Sequence, residues 1–201
     1  MKDYPGAEAA LELSEAALDQ LSKNDFLTDI PVVGIAFKVC KVVAGIRDRL
    51  YIAKLNTFLS RLDAISREEQ HEMLTNLLPE PKQREKVGER LLMILEQLSD
   101  HDKPAIMAVF FIAYLRRMID LSTLLRIWDS IATAYCGDLS ILLGLASEPA
   151  FGGGNSHLQY LTRTGLSQVR GIAIDNDGTM QYEASPFGYY FIKIYHEANA
   201  A

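Results

Sequence analysis

The residue types that do chemistry are present in this chain but stand apart. Four histidines, His71, His101, His157 and His196, occupy unrelated positions, and no H-x-x-x-H or C-x-x-C spacing links them to Cys40 and Cys136. A zinc site needs His and Cys donors at short, repeated intervals, so no metal is expected. Glu68, Glu69 and Glu72 fall on one helical surface, as do Glu80, Glu85 and Glu89. A carboxylate-bridged metal site needs a Glu-x-x-His pair from each of two helices; Glu68 and His71 stand at that spacing but no second pair occurs in the sequence, and both groups read as solvated faces. Asp175-Asn176-Asp177-Gly178 opens like a calcium loop, but Pro186 stands where the bidentate glutamate belongs. That stretch reads as a hairpin turn. Gly152-Gly153-Gly154 is not followed by the Gly-Lys-Ser/Thr of a phosphate loop and reads as a hinge. No G-x-S-x-G elbow occurs. The chain is expected to be no enzyme and to use no cofactor.

Binding by charge is the remaining chemistry. Residues 1–30 hold seven acidic and two basic side chains, a net of −5. Residues 31–61 hold six basic and one acidic, a net of +5. Within the basic stretch, Lys38, Lys41, Arg47, Arg49 and Lys54 are the candidate membrane or partner surface. The expected arrangement lays an acidic helix along a basic one, which would free the basic face to meet an anionic surface when released. Arg163 and Arg170 are the candidate nucleic-acid contacts. They are weak ones, because residues 150–201 sum to −1 and the whole chain to −6, whereas phosphate neutralisation uses several cations.

The elements that must position these residues are mostly helices. Ala7 to Leu21 has leucines on one face. Asp29 and Pro31 then introduce an apolar run, Ile30 to Ile46, broken only by Gly34, Lys38, Lys41 and Gly45. A helix apolar on most of its circumference is enclosed by other helices or by lipid, and this helix is expected to continue to Leu62. Ser66 and Glu69 form a capping box for a helix to Leu78. After Pro79 and Pro81, helix resumes over Glu85 to Leu98. A turn at Ser99–Asp102 leads to a helix with Pro104 in its first turn, ending near Ile119. Ser122 is the expected cap of the next, with Leu125, Trp128, Ile131, Ala132 and Tyr135 inward. A short helix Asp138 to Ala146 follows, then a helix His157 to Thr164 closed by Gly165. Strands Val169 to Ile174 and Thr179 to Glu183 flank the turn, and Ser185-Pro186 opens a last helix rich in Phe and Tyr.

The expected fold is therefore mainly α: a bundle of about six helices over residues 1–136, with a winged-helix-like unit containing one β-hairpin over 137–201. At 201 residues and 22.4 kDa, with 49% hydrophobic residues and 23% charged, the chain has enough material for a substantial core. No stretch is long and apolar enough for a standard transmembrane helix, and the start lacks the basic-then-apolar pattern of a secretory signal. A cytoplasmic protein is expected, peripheral to an inner membrane at most, with both cysteines as reduced core thiols.

The segments DIPVVG…KVVAGIRDRLYIAKLNTFL, EKVGERLLMILEQLSDHDKPAIMAVFFIAYL and YLTRTGLSQV…YEASPFGYYFIKIY resemble a group of bacterial helical proteins similar in layout to the abortive-infection alpha-type family. That resemblance implies a bacterial setting linked to phage resistance or stress, and carries no catalytic residues. The expected function is a non-enzymatic interaction protein with a protein partner or self-association. A membrane-active effector using the helix from Ile30, and a winged-helix DNA-binding regulator, are the alternatives.

Overall fold

Apolar residues recur every three or four positions through most of the chain, and the protein is accordingly mainly helical, with one small antiparallel hairpin near its C-terminus. The computed structural model describes residues 46–63, 65–66, 68–69, 71–72, 81–145, 156–172 and 180–200. Expectations for Ala7–Leu21, for the apolar run up to Gly45 and for Cys40 lie outside those residues. So do those for the glycine triplet and for the Asp175–Gly178 turn. The chain gathers into two compact units, Met1–Ala108 and Val109–Ala201. The boundary expected at 136/137 falls inside the second.

In the first unit, α1 (Ile46–Asp63) packs on α2 (Pro81–Gln97). Leu55, Phe58, Leu59 and Leu62 form the buried stripe of α1, as their spacing predicts; Val87, Leu91, Ile94 and Leu95 form that of α2. Between them, the Ser66 hydroxyl accepts the Glu69 N–H at 3.2 Å, as a capping box requires. The second helix starts at Pro81, four residues before the expected Glu85. Proline is suited to the first helical position, where its missing N–H leaves no bond unmade. In this chain Pro81 begins the helix that it was expected to keep apart.

The division between the units falls within α3 (Lys103–Leu115). Every residue from Ile106 to Ala113 is buried, so this helix has no polar face at its centre. It ends four residues before the expected Ile119. Arg117 adopts φ +58°, and the Met118 N–H reaches back to Ala113 O at 2.9 Å. That is a Schellman stop built without the usual glycine, so the sequence carries no signal for it.

The second unit holds α4 (Leu121–Thr133), α5 (Cys136–Leu143), a 3-10 helix (Ser156–Thr164), β1 (Ser167–Ile172), β2 (Met180–Ala184) and α6 (Pro186–Ala200). The 3-10 helix touches α4, α5 and both strands. Its sequence explains its form: Leu158, Leu161 and Thr164 are spaced by three, and a three-residue turn puts them on one side. Both leucines are buried. Thr162 and Thr164 add hydroxyl bonds to the carbonyls three residues back, at 2.8 and 2.7 Å. Gly165, at φ +75°, ends the element with open space around its Cα; the backbone conformation, not crowding, is what requires glycine there. The helix expected at His157–Thr164 is thus present in a narrower form.

Asp120, not Ser122, caps α4. The Asp120 carboxylate accepts the Thr123 N–H at 2.7 Å, while Ser122 donates to that same carboxylate at 3.0 Å. The buried stripe of α4 is Leu124, Ile127, Trp128 and Ile131. Leu125 and Ala132 are only half-buried, and Tyr135 lies beyond the helix, exposed. The bond from the Thr123 backbone, aided by the Thr123 and Ser122 hydroxyls, holds the Asp120 carboxyl below its ordinary value. A depressed carboxyl stabilises the fold above its unfolded value, and that contribution disappears as pH falls through the folded one. Asp120→Ala is therefore expected to lower the melting temperature at neutral pH, with the gap to the parent closing below about pH 4. Thermal melts of both proteins across that range check it.

The strands pair antiparallel, Ser167 with Ala184 and Ile172 with Met180, with a bulge between Val169 and Gly171 that makes Arg170 the extra residue. At the start of α6, Ser185 accepts the Gly188 N–H at 3.0 Å and donates to Gly165 O at 2.6 Å. The aromatic series of α6 anchors it: Phe191 packs on Phe110 with centroids 4.4 Å apart, and Tyr195 lies 6.0 Å from the same ring. Arg116 donates to Ala198 O at 2.7 Å, satisfying a carbonyl at the helix end.

Candidate functional site

Of the five cations expected on one binding face, Lys38 and Lys41 lie outside the described residues, and Arg47 and Arg49 are placed on α1 by backbone only. Lys54 is not on a surface. It is 7% exposed, and its ammonium donates to Leu95 O at 3.2 Å and to Leu98 O. Those are carbonyls at the end of α2 with no partner inside the helix, and the end of a helix attracts positive charge. The sequence places Lys54 on a basic binding face; what it does not show is the helix terminus that the ammonium reaches. Lys54→Met keeps the aliphatic stem and removes the donors, so it is expected to reduce stability by about 1–3 kcal/mol, read from urea unfolding.

The two arginines proposed for nucleic acid are not equivalent. Arg170, at the bulge, stands 3.8 Å from Glu183 across the hairpin. The adjoining Tyr189 hydroxyl is pushed up by burial and by Glu183, with Arg170 opposing. The charge of Arg170 is thus already engaged. Arg163 is exposed on the 3-10 helix and has no ionic or hydrogen-bonding partner among the described residues.

Arg163 opens onto a groove of about 800 Å³ between the end of α4, the start of α5, the 3-10 helix and β2. Tyr135 and Tyr160 stand at it, 70% and 68% exposed. Thr133, Gln159 and Thr162 add hydroxyl and amide groups, and Tyr182 is the strand's contribution. Asp138, in the first turn of α5, also lines the groove. It is only 7% exposed as a residue, and no fully enclosed side-chain nitrogen or oxygen among the described residues lacks a hydrogen-bond partner. The Tyr135 ring lies close to Gly137 at the start of α5. A Cβ there would come within 2.8 Å of the tyrosine ring.

Sequence reasoning missed Asp138 and Tyr160, and assigned Tyr135 to the core. The only local signal is a tyrosine two residues before a glycine at a helix start, which is a weak one. Among the described residues, no three His, Cys, Asp or Glu side chains are close enough to share a metal ion, and no helix is long and apolar enough to cross a membrane. Cys136 is in no disulfide and is of intermediate exposure. No family model, curated protein or solved structure matches the chain.

Proposed function

We propose that this protein is a non-enzymatic interaction protein whose binding face is the groove between α5 and the 3-10 helix. The observation that carries the reading is the pair of exposed tyrosines beside an uncommitted arginine. Tyrosine and arginine are the side chains most enriched where partners bind, because each combines a large apolar surface with a directional polar group. Isolated on a free surface they would be an expensive exposure of apolar area; grouped around a concavity they form an anchor set. The setting implied by the resemblance, bacterial phage resistance, belongs to the same proposal.

A photo-crosslinking residue in place of Tyr160, in the full chain, tests it. A discrete adduct of higher mass is expected on irradiation in cells, and it should vanish when Tyr135→Ser is added. The same residue in place of Tyr190, on the exposed side of α6, serves as control. Equal labelling at both positions, or none at 160, removes the proposal.

A further inference from the structure

We infer that the groove binds a neutral saccharide, a short oligosaccharide carried by the partner, with Tyr135 and Tyr160 as stacking faces for its rings. The inference rests on the groove being the binding face, and adds what the groove reads. Its central observation is the make-up of the wall. Among the described residues, no leucine, isoleucine, valine, methionine or phenylalanine lines the groove. Its exposed apolar surface is chiefly tyrosine ring, with Tyr135 and Tyr160 70% and 68% exposed. An aliphatic anchor, the usual handle of an amphipathic helix, meets no pocket of its own kind there. A pyranose ring does find a match. One of its faces is a patch of C–H groups with slight positive charge, and the face of an aromatic ring is negative.

The polar groups of the lining both donate and accept. The Thr133 hydroxyl donates to Asp129 O at 2.9 Å and the Thr162 hydroxyl to Gln159 O at 2.8 Å. Their protons are thus committed, and each oxygen keeps lone pairs for an incoming O–H. The Gln159 amide donates and accepts, Arg163 only donates, and the Asp138 carboxylate only accepts. A polyproline segment, the other common guest of aromatic grooves, brings carbonyl acceptors but few donors, and would leave the acceptors unmatched. A sugar hydroxyl is donor and acceptor at once and suits both. Charge points the same way. Arg163 and Asp138 line one groove with opposite signs, so the lining favours neither a cationic nor an anionic guest. The volume of about 800 Å³ lies within the range of small-molecule sites, about 300–1,000 Å³. The two tyrosines come from different elements, the link between α4 and α5 and the 3-10 helix, which suits successive rings of an oligosaccharide better than one ring alone.

The test is amide NMR of the full chain titrated with neutral trisaccharides of glucose, galactose, mannose or N-acetylglucosamine. Sorbitol, adenosine and a blocked pentaproline peptide are the comparisons. Saturable shifts at Gln159, Tyr160 and Thr162 are expected with at least one trisaccharide, at a Kd of about 1 mM or tighter. Sorbitol, which has hydroxyls but no ring face, should give none. Tyr160→Leu, at an exposed position, removes the aromatic face and should weaken binding about fivefold or more with the melting temperature in place. Tyr160→Trp should retain binding. The affinity should hold between about 0.05 and 0.5 M salt, since a neutral guest offers no charge to screen. No saturable shift with any trisaccharide, full binding by Tyr160→Leu, or an affinity that falls severalfold with salt overturns the inference. Tighter binding of adenosine or pentaproline at the same residues overturns it too, in favour of that guest. If the crosslink at position 160 forms while no trisaccharide binds, the groove stands as a binding face and only the saccharide falls. Trisaccharide shifts in the groove without a crosslink keep the saccharide and remove the protein that carries it.

Discussion

Replacing Trp128 by alanine is expected to lower stability by about 3–5 kcal/mol, the largest loss from any single side chain considered for this protein. Trp128 is fully buried on α4, and its ring lies 6.0 Å from that of Phe111 in a tilted arrangement. The loss has two parts. The indole no longer leaves water on folding, and the space it filled is too irregular for neighbours to collapse into completely. Phe111 also loses a ring partner. Trp128→Phe should retain most of the apolar burial and cost clearly less. Equilibrium unfolding in urea, with circular dichroism as the probe, measures both. Comparable stability of Trp128→Ala and the parent would mean that α4 does not pack as described.

The second large effect is expected from a smaller change. Gly188→Ala adds one methyl group to the first turn of α6, where helix propensity alone would favour alanine by about 0.5–1 kcal/mol. The sign is reversed by packing. A Cβ on residue 188 would overlap the Leu166 carbonyl oxygen, lie 3.0 Å from the Leu166 carbonyl carbon and 3.3 Å from the Ala184 side chain. The obstacle is backbone, and it is tethered: Leu166 O accepts the Ser185 N–H at 3.0 Å, and Gly165 O accepts the Ser185 hydroxyl. Neither α6 nor the 165–166 link can move without breaking these bonds. Overpacking against a fixed backbone costs about 2–3 kcal/mol or more, which outweighs the propensity gain. A fall in melting temperature of about 5–10 °C is the expected reading. Serine at 188 should behave like alanine, since the clash begins at Cβ. A melting temperature equal to or above the parent's would show that the close approach of α6 to Leu166 is not maintained in solution.

These two positions separate what periodicity shows from what it cannot. Trp128 is legible in advance, because a large apolar residue within an amphipathic stretch has one sensible destination. Gly188 is not. A glycine three residues after a serine at a helix start is compatible with many environments, and only the carbonyl above it makes it obligatory. The same contrast runs through the charges. Lys54 belongs to a sequence that reads as a basic face, but a lysine's long stem lets its ammonium reach sideways, and here it reaches the end of α2. Arg170 and Glu183 come together only because the strands pair and a bulge redirects the arginine. Asp120 displaces Ser122 as cap because its carboxylate reaches the N–H three residues on, a choice that two capping residues separated by one position leave open.

By itself, then, the sequence determined the class of the protein: mainly helical, with one hairpin before a closing aromatic helix. It did so because helix and strand spacing, Ser-Pro starts and glycine stops are local, and local signals survive in one dimension. The groove is different. Tyr135 and Asp138 sit at the start of α5, Gln159, Tyr160 and Arg163 lie on an irregular 3-10 helix, and Tyr182 comes from a strand. Their convergence depends on how three kinds of element with different rises per residue pack on one another. Nothing in the spacing of 135, 138, 160 and 163 encodes that meeting. Whether a side chain is solvated or enclosed is likewise set by what folds over it, so the grouping of Tyr135, Tyr160 and Arg163 around one groove was decided by tertiary structure alone.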